Sequence, residues 1–369
     1  MTNSATPYWV FVGTYTEGGF APKEPSQGVY VFRMDPATGS LTLAGTGDPG
    51  PNPSFLAVHP SGRYVYTVNE VDNFGGQRSG GVTAFAFDSQ TGALTRLNQE
   101  SAHGTVSCHI SVAPAGQFAL AANYGSGDTL VIPIRADGTL GPAAQIVDHV
   151  SLVPGAVPDT SRAHSANLAP DGRFVLVADL GLDRVMIYAF DAETGHLSLN
   201  PNQPWLETAK GAGPRHLDFH PSGRYVYLIN ELNATLSALA YDPARGLLTE
   251  LQTLSTLPAG YTGGKSCADI HVSPDGRFVY GSNRGHDSLA IFAIDPATGR
   301  LTLVAHTATE GRTPRNFNLD PTGNFVYVGN QDTNQIVIYR RDAATGTLTL
   351  TGQVVDIPAP VCIKFLAAA

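Results

Sequence analysis

The chain has 369 residues, with 22 Lys and Arg against 31 Asp and Glu for a net charge of −9. Charged residues are only 14%, while Gly (40) and Pro (26) are plentiful, which excludes a disordered polyelectrolyte and fits turn-dense β structure. No basic run occurs, which argues against nucleic-acid or anionic-membrane partners, and the longest apolar runs are strand-sized, too short for a membrane-spanning helix.

The first element, Tyr8-Trp9-Val10-Phe11-Val12-Gly13-Thr14-Tyr15, reads as a strand. No charged n-region followed by an apolar h-region precedes it, so the expected compartment is the cytoplasm; a chain whose leader had been removed would read the same way. Asp35-Pro36-Ala37-Thr38-Gly39 then opens a series of seven turns, which continues at Asp88, at a degenerate copy starting at Arg135, and at Asp191, Asp242, Asp295 and Asp342. Each precedes a short Leu-Thr-Leu-like strand. Interleaved with them are six Pro-x-Gly turns, at Pro60, Pro114, Pro170, Pro221, Pro274 and Pro321, spaced 54, 56, 51, 53 and 47 residues apart by subtraction. Pro followed by Gly at these offsets is hairpin chemistry, with φ preset at one position and a permissive backbone at the next.

A supersecondary unit repeated at about 50 residues signals a propeller or solenoid. The second complete unit reads as four strands: A from Cys108 to Ala113, B from Gln117 to Ala122, C from Leu130 to Arg135, and D near Leu140 to Val147. Alternating apolar and polar residues rich in Val, Ile, Tyr and Phe fit half-buried antiparallel strands, and no long helical stripe is present. The opening strand has no A strand before it, and Val361-Cys362-Ile363-Lys364-Phe365 is an A strand with nothing after it. Together they complete a seventh unit. The expected fold is an all-β, seven-bladed β-propeller over residues 1–369 as one domain. Each blade has four antiparallel strands, and the C-terminal A strand joins the N-terminal strands to close the ring and remove its exposed edges.

Cys108, Cys267 and Cys362 lie at or near A-strand starts in different blades. An odd count spread this way argues against a disulfide framework and for small buried hydrophobes.

In such a ring, A-strand starts and B-strand ends share one face near the central channel. The A starts supply Ser54, His109, His164, Arg215 with His216, Asp269 and Arg315. The B ends supply Asn69 with Glu70, Asn123 with Tyr124, Asp179, Asn230 with Glu231, Asn283 with Arg284, and Asn330 with Gln331. In a chain so poor in charge, this convergence is a candidate site.

Several stretches here resemble the seven-bladed β-propeller lactonase family, which includes propeller-type 6-phosphogluconolactonases and fungal 3-carboxy-cis,cis-muconate lactonising enzymes. They are Ala163-His164-Ser165-Ala166-Asn167, Asp179-Leu180-Gly181-Leu182-Asp183-Arg184-Val185, Gly213-Pro214-Arg215-His216, Asn230-Glu231-Leu232, Ser282-Asn283-Arg284-Gly285 and Thr313-Pro314-Arg315. The similarity runs from Phe11-Val12-Gly13-Thr14-Tyr15-Thr16 to Cys362-Ile363-Lys364-Phe365. It implies that His164, Arg215, Glu231 and Arg284 line a catalytic groove for a small anionic sugar lactone. One departure is Ala268-Asp269, where the family commonly carries Ala-Glu.

Lactone opening needs a base for water, positive charge for the oxyanion and a grip on the substrate. His164 has a suitable proton affinity for the base. Glu231 is expected to orient His164, or to act as base itself if burial raises its pKa. Arg215 and Arg284 carry planar forks suited to carboxylate or phosphate. His109, His216, Asp269, Arg315, Asn69 and Asn283 are expected substrate-binding residues. His59, His220 and His271 read as parts of the repeat, and His103, His196, His286 and His306 as structural or surface groups. No metal or other cofactor is expected, because guanidinium groups oppose an adjacent cation. Gly263-Gly264-Lys265-Ser266 lacks the first glycine of a phosphate loop, position 259 being Ala, and reads as a surface loop. The leading expectation is a sugar-lactone hydrolase. A muconate-type cycloisomerase and a non-catalytic scaffold are the alternatives.

Overall fold

A computed structural model describes residues 8–367 as seven sheets arranged as blades of a ring. Blades 1 to 6 run in chain order from strand A, innermost, to strand D, outermost. In blade 7 the order is Pro360–Ala367, Tyr8–Thr14, Val29–Met34 and Leu41–Gly47, so the last strand pairs antiparallel with the first and closes the ring. Helix among the described residues is limited to His149–Leu152 and two 3₁₀ turns, and none is long and apolar enough to cross a membrane.

Blade 2 corrects the expected bounds by a few residues: Ser107–Val112, Phe118–Asn123, Asp128–Pro133 and Gln145–Asp148. Its D strand starts late because Leu140 makes only an isolated bridge to Ile134 after the degenerate turn. In blade 3, strand D is split, with Leu197–Leu199 and Trp205–Glu207 pairing in turn with Arg184–Phe190.

The repeat motif is explained by what happens between blades. The first aromatic of strand B packs on the glycine of the Asp-x-x-x-Gly turn in the next blade: Tyr64 on Gly138, Tyr225 on Gly299, Phe325 on Gly39. Two residues on, tyrosine hydroxyls donate to the same turns, Tyr66 to Gly138 O at 3.1 Å, Tyr227 to Gly299 O at 3.0 Å and Tyr327 to Gly39 O at 2.7 Å. Gly299 has φ of 71°, and a Cβ there would lie 2.4 Å from the Tyr225 ring. Gly299→Ala is therefore expected to destabilise the ring by about 2 kcal/mol or more, from left-handed backbone strain plus overpacking. Chemical denaturation will measure it, and an unchanged midpoint would refute this account of the repeat.

Antiparallel order puts the A–B and C–D turns on one face and the B–C and D–A connections on the other. The latter, upper face carries the A-strand starts and B-strand ends around the channel. All three cysteines are buried and unpaired.

Candidate active site

Six of the seven innermost strands carry a register shift near their start. In blade 3 Ala163 pairs with Asp179 and Ser165 with Ala178, which leaves His164 as the extra residue. Arg215 is extra between Pro214 and His216, and Arg315 between Pro314 and Asn316. Cys108 holds the same place in blade 2. Such bulges re-aim side chains beside active sites. Here they turn His164, Arg215 and Arg315 toward the channel and let two neighbours in sequence, Arg215 and His216, reach the same region.

The centre of the cluster is Glu231, at the end of strand B of blade 4 (Tyr225–Asn230). Its carboxylate accepts from Arg215 Nε at 2.9 Å and pairs with Arg284 Nη2 at 2.8 Å. Ser266 Oγ receives Arg284 Nη2 at 2.7 Å and lies 3.3 Å from Glu231 Oε1. Arg215 also donates to Ala268 O and, at 3.3 Å, to His216 Nε2. Burial alone would raise the Glu231 pKa, but Arg215, Arg284 and Arg315 outweigh it and the carboxyl is held below its ordinary range. Arg284 is lowered to about 10 by burial and by Arg215, despite its pairing with Glu231.

This corrects the two expected roles for Glu231. Its bonds go to arginines rather than to His164, and its pKa is lowered rather than raised by its surroundings. Glu231 instead fixes two guanidinium groups that would otherwise repel each other.

His164 is 5% exposed. Its ring lies 5.2 Å from His216 and 5.5 Å from Tyr124, and its Nδ1 is 3.8 Å from Cys108 Sγ. Nε2 makes no hydrogen bond to the described residues and is not one of the buried orphaned atoms. Burial first, then Arg215, His216 and Arg315, hold the imidazole well below the usual histidine range. The ring is neutral at physiological pH and able to accept a proton.

Beneath it runs a positioning network. His216 Nδ1 lies 2.7 Å from Asp269 Oδ1, His271 Nε2 lies 3.1 Å from Asp269 Oδ2, and Asn316 donates to the same oxygen. Burial raises the Asp269 pKa, yet His271 and His216 hold it well below the carboxylate range. His216 is lowered to about 4 by burial and Arg215, so Nδ1 of the neutral ring is the donor to Asp269 and Nε2 accepts from Arg215.

Four expected substrate contacts are therefore corrected or refined. Asp269 is 3% exposed and saturated by its three partners; it holds His216 rather than reaching the groove. Asn69 and Asn283 are fully buried, with Asn69 Nδ2 donating to Pro49 O and Pro51 O, and Asn283 Nδ2 to Thr256 O. Asn123 and Asn330 make the same bond, to Ala102 O and Thr309 O, so in four blades this asparagine ties the blade to its incoming connection. His109 faces the far end of the channel, where it lines a cavity of about 310 Å³ with Phe55, Asn167 and Lys364. Arg315 does reach the upper groove, stacked 5.3 Å above the Tyr15 ring and 3.7 Å from Glu70.

The sequence reading missed three groups. Tyr15, whose hydroxyl bonds both Glu70 oxygens at 2.9 and 3.0 Å, ends strand B of blade 7; extending the B-end list to the N-terminal blade would have found it. Ser266 was passed over as part of a loop. His149 forms a fully buried pair with Asp179 at 2.7 Å, and no pattern marks it. His271 is a partner of Asp269 as well as a repeat residue. Lys265 lies exposed in a connection with no helix after it, which excludes a phosphate loop.

Among the described residues, no group of three or more His, Cys, Asp or Glu side chains could hold a metal ion.

The family model described as "Lactonase, 7-bladed beta-propeller" matches residues 9–365. A 6-phosphogluconolactonase of Bacillus subtilis is 37% identical over 361 residues, covering 98% of this chain and 99% of the relative. One from Formosa agariphila is 34% identical over 310 residues, 83% and 84% of the two chains. Among solved structures, the periplasmic gluconolactonase of Pseudomonas aeruginosa superposes with a TM-score of 0.89 at 34% identity, covering 99% of this chain and all of the other. With bulged innermost strands that carry His164, Arg215 and Arg315 to one mouth, and a match that spans nearly every described residue, the chain belongs to the seven-bladed β-propeller lactonase family.

Proposed function

We propose that this chain hydrolyses sugar lactones, with 6-phosphogluconolactone the first substrate, and that it does so without a metal or other cofactor. The observation that carries the reading is a buried neutral imidazole, His164, set beside arginines that one carboxylate holds in place. The names of the relatives support the substrate class.

In the proposed step, His164 takes a proton from water as its oxygen bonds to the lactone carbonyl carbon. The carbonyl electrons move onto oxygen, and Arg215 and Arg284 stabilise that oxyanion. When the intermediate collapses, the bond to the ring oxygen breaks and the leaving alkoxide regains the proton from His164. The product is a hydroxy acid, which ionises in water. Glu231 keeps the guanidinium forks aimed and apart. The metal-free part of the proposal rests on the donor set, since the groove presents permanent cations where a metal site needs clustered anionic or imidazole ligands.

Titration of released acid during hydrolysis of 6-phosphogluconolactone and glucono-δ-lactone will test this, with and without EDTA. The expected result is a rate well above the spontaneous one, unchanged by chelator. Because the His164 pKa is depressed from 6.5, the base form persists as pH falls. The acid limb of kcat/KM should therefore lie below 6.5, with the plateau extending beneath it. Background rates for both lactones would overturn the hydrolase reading, loss of activity with EDTA the metal-free claim, and an acid limb above the imidazole range the assignment of the base.

A further inference from the structure

On the upper face a cavity of about 770 Å³ is bordered by Lys23, Arg284, Arg312, Thr313, Arg315 and Asp332. Four cations face one carboxylate there, in a chain where acids outnumber bases 31 to 22. The single acid has acceptor sites already occupied, since Asp332 accepts from Thr313 Oγ1 at 2.5 Å and Gln331 Nε2 at 3.2 Å. Two of the four cations are less committed. No ion pair or side-chain hydrogen bond engages Arg312 or Lys23 among the described residues, and both are exposed. Arg284 directs Nη2 to Glu231, Ser266 and Cys267 O, while Nη1 makes no bond to the described residues.

An unpaired guanidinium and an unpaired ammonium, Arg312 and Lys23, on a concave wall favour a multiply charged anion, and the planar fork of Arg312 matches phosphate oxygens in pairs. We propose that Arg312 and Lys23 form a clamp for the phosphate of a phosphorylated lactone, with Arg284 shared between this clamp and the reaction centre. The proposal rests on the lactone-hydrolase reading and specifies its substrate. In 6-phosphogluconolactone the carbonyl carbon and the carbon bearing the phosphorylated arm flank the ring oxygen. An anchored phosphate therefore brings the carbonyl close by, and in this groove that means toward Arg284, Arg215 and His164.

The test compares kcat/KM for 6-phosphogluconolactone and glucono-δ-lactone in the wild type, R312A and K23A. R300A, an exposed arginine on the opposite face, serves as the charge control. Calorimetry with 6-phosphogluconate, gluconate and inorganic phosphate provides a readout independent of turnover. The wild type should prefer the phosphorylated lactone and bind 6-phosphogluconate more tightly than gluconate. R312A should reduce both preferences about tenfold to a hundredfold, K23A less, and R300A not at all. The wild-type preference should also weaken with added salt. An R312A variant that keeps the wild-type preference overturns the clamp, as does a wild type with none. If the wild type hydrolyses neither lactone, the hydrolase reading falls, and calorimetry still decides the clamp: equal binding of gluconate and 6-phosphogluconate refutes it. Competition by inorganic phosphate alone, without tighter binding of 6-phosphogluconate, also refutes it, because the site would then hold a free anion and not a sugar phosphate.

Discussion

Arg215→Ala should lower kcat/KM for lactone hydrolysis by about a thousandfold and destabilise the protein at the same time. The catalytic loss follows from removing a cation beside the proposed oxyanion position, where one donor is worth about 3 kcal/mol or more. The stability loss follows from what Arg215 touches. Its side chain is only 3% exposed, and it serves Glu231, Ala268 O and His216. Truncation leaves a buried carbonyl and an imidazole nitrogen without a donor, each worth about 1–3 kcal/mol, and leaves Glu231 to Arg284 alone. Arg215→Lys keeps the charge but cannot span all three acceptors, so its activity should fall between the two. Steady-state kinetics and thermal unfolding on the same preparations will check both halves. Wild-type kcat/KM in a folded Arg215→Ala protein would exclude this arginine from the reaction.

His164→Asn should separate the two effects. Loss of a general base is expected to reduce kcat about a hundred- to ten-thousandfold, while the unfolding midpoint should move little. His164 stands outside the strand ladder at its bulge and its Nε2 makes no bond to the described residues, so no backbone pairing depends on it. Asn fills part of the same space and keeps polarity but cannot take a proton in this range. If kcat survives in His164→Asn, the base lies elsewhere in the groove, with Glu70 the next carboxylate to replace.

The fold was legible because its signals are local. Each Pro-x-Gly and Asp-x-x-x-Gly turn announces itself by residues that only a hairpin needs, and the unmatched strands at the two ends point to each other. The location of the site followed from strand order alone. What the sequence could not show was the bulges. A single extra residue leaves no compositional trace, yet it decides that Arg215 enters the channel; Asn69 and Asn283, which also looked like mouth residues, are instead held by backbone carbonyls of the incoming connections. The misplacement of Glu231 has a similar cause. Proximity to His164 was plain from the ring, but the choice of partner was not, and two nearby guanidinium groups attract a carboxylate more strongly than a neutral imidazole does. Asp269 was recognisable as an unusual residue; its burial depended on His271 and Asn316 from two different blades.

The unpaired residue at the head of each bulged strand has a consequence for how such a molecule can change over generations. Since that position belongs to no hydrogen-bonded rung, an exchange there neither slides the strand nor turns its apolar side chains outward. Histidine, arginine and cysteine already occupy it in different blades without disturbing the residues that follow. Descendants of one ancestral toroid could therefore acquire different reactivities by single replacements at these places, while inheriting the interlocking of blades intact.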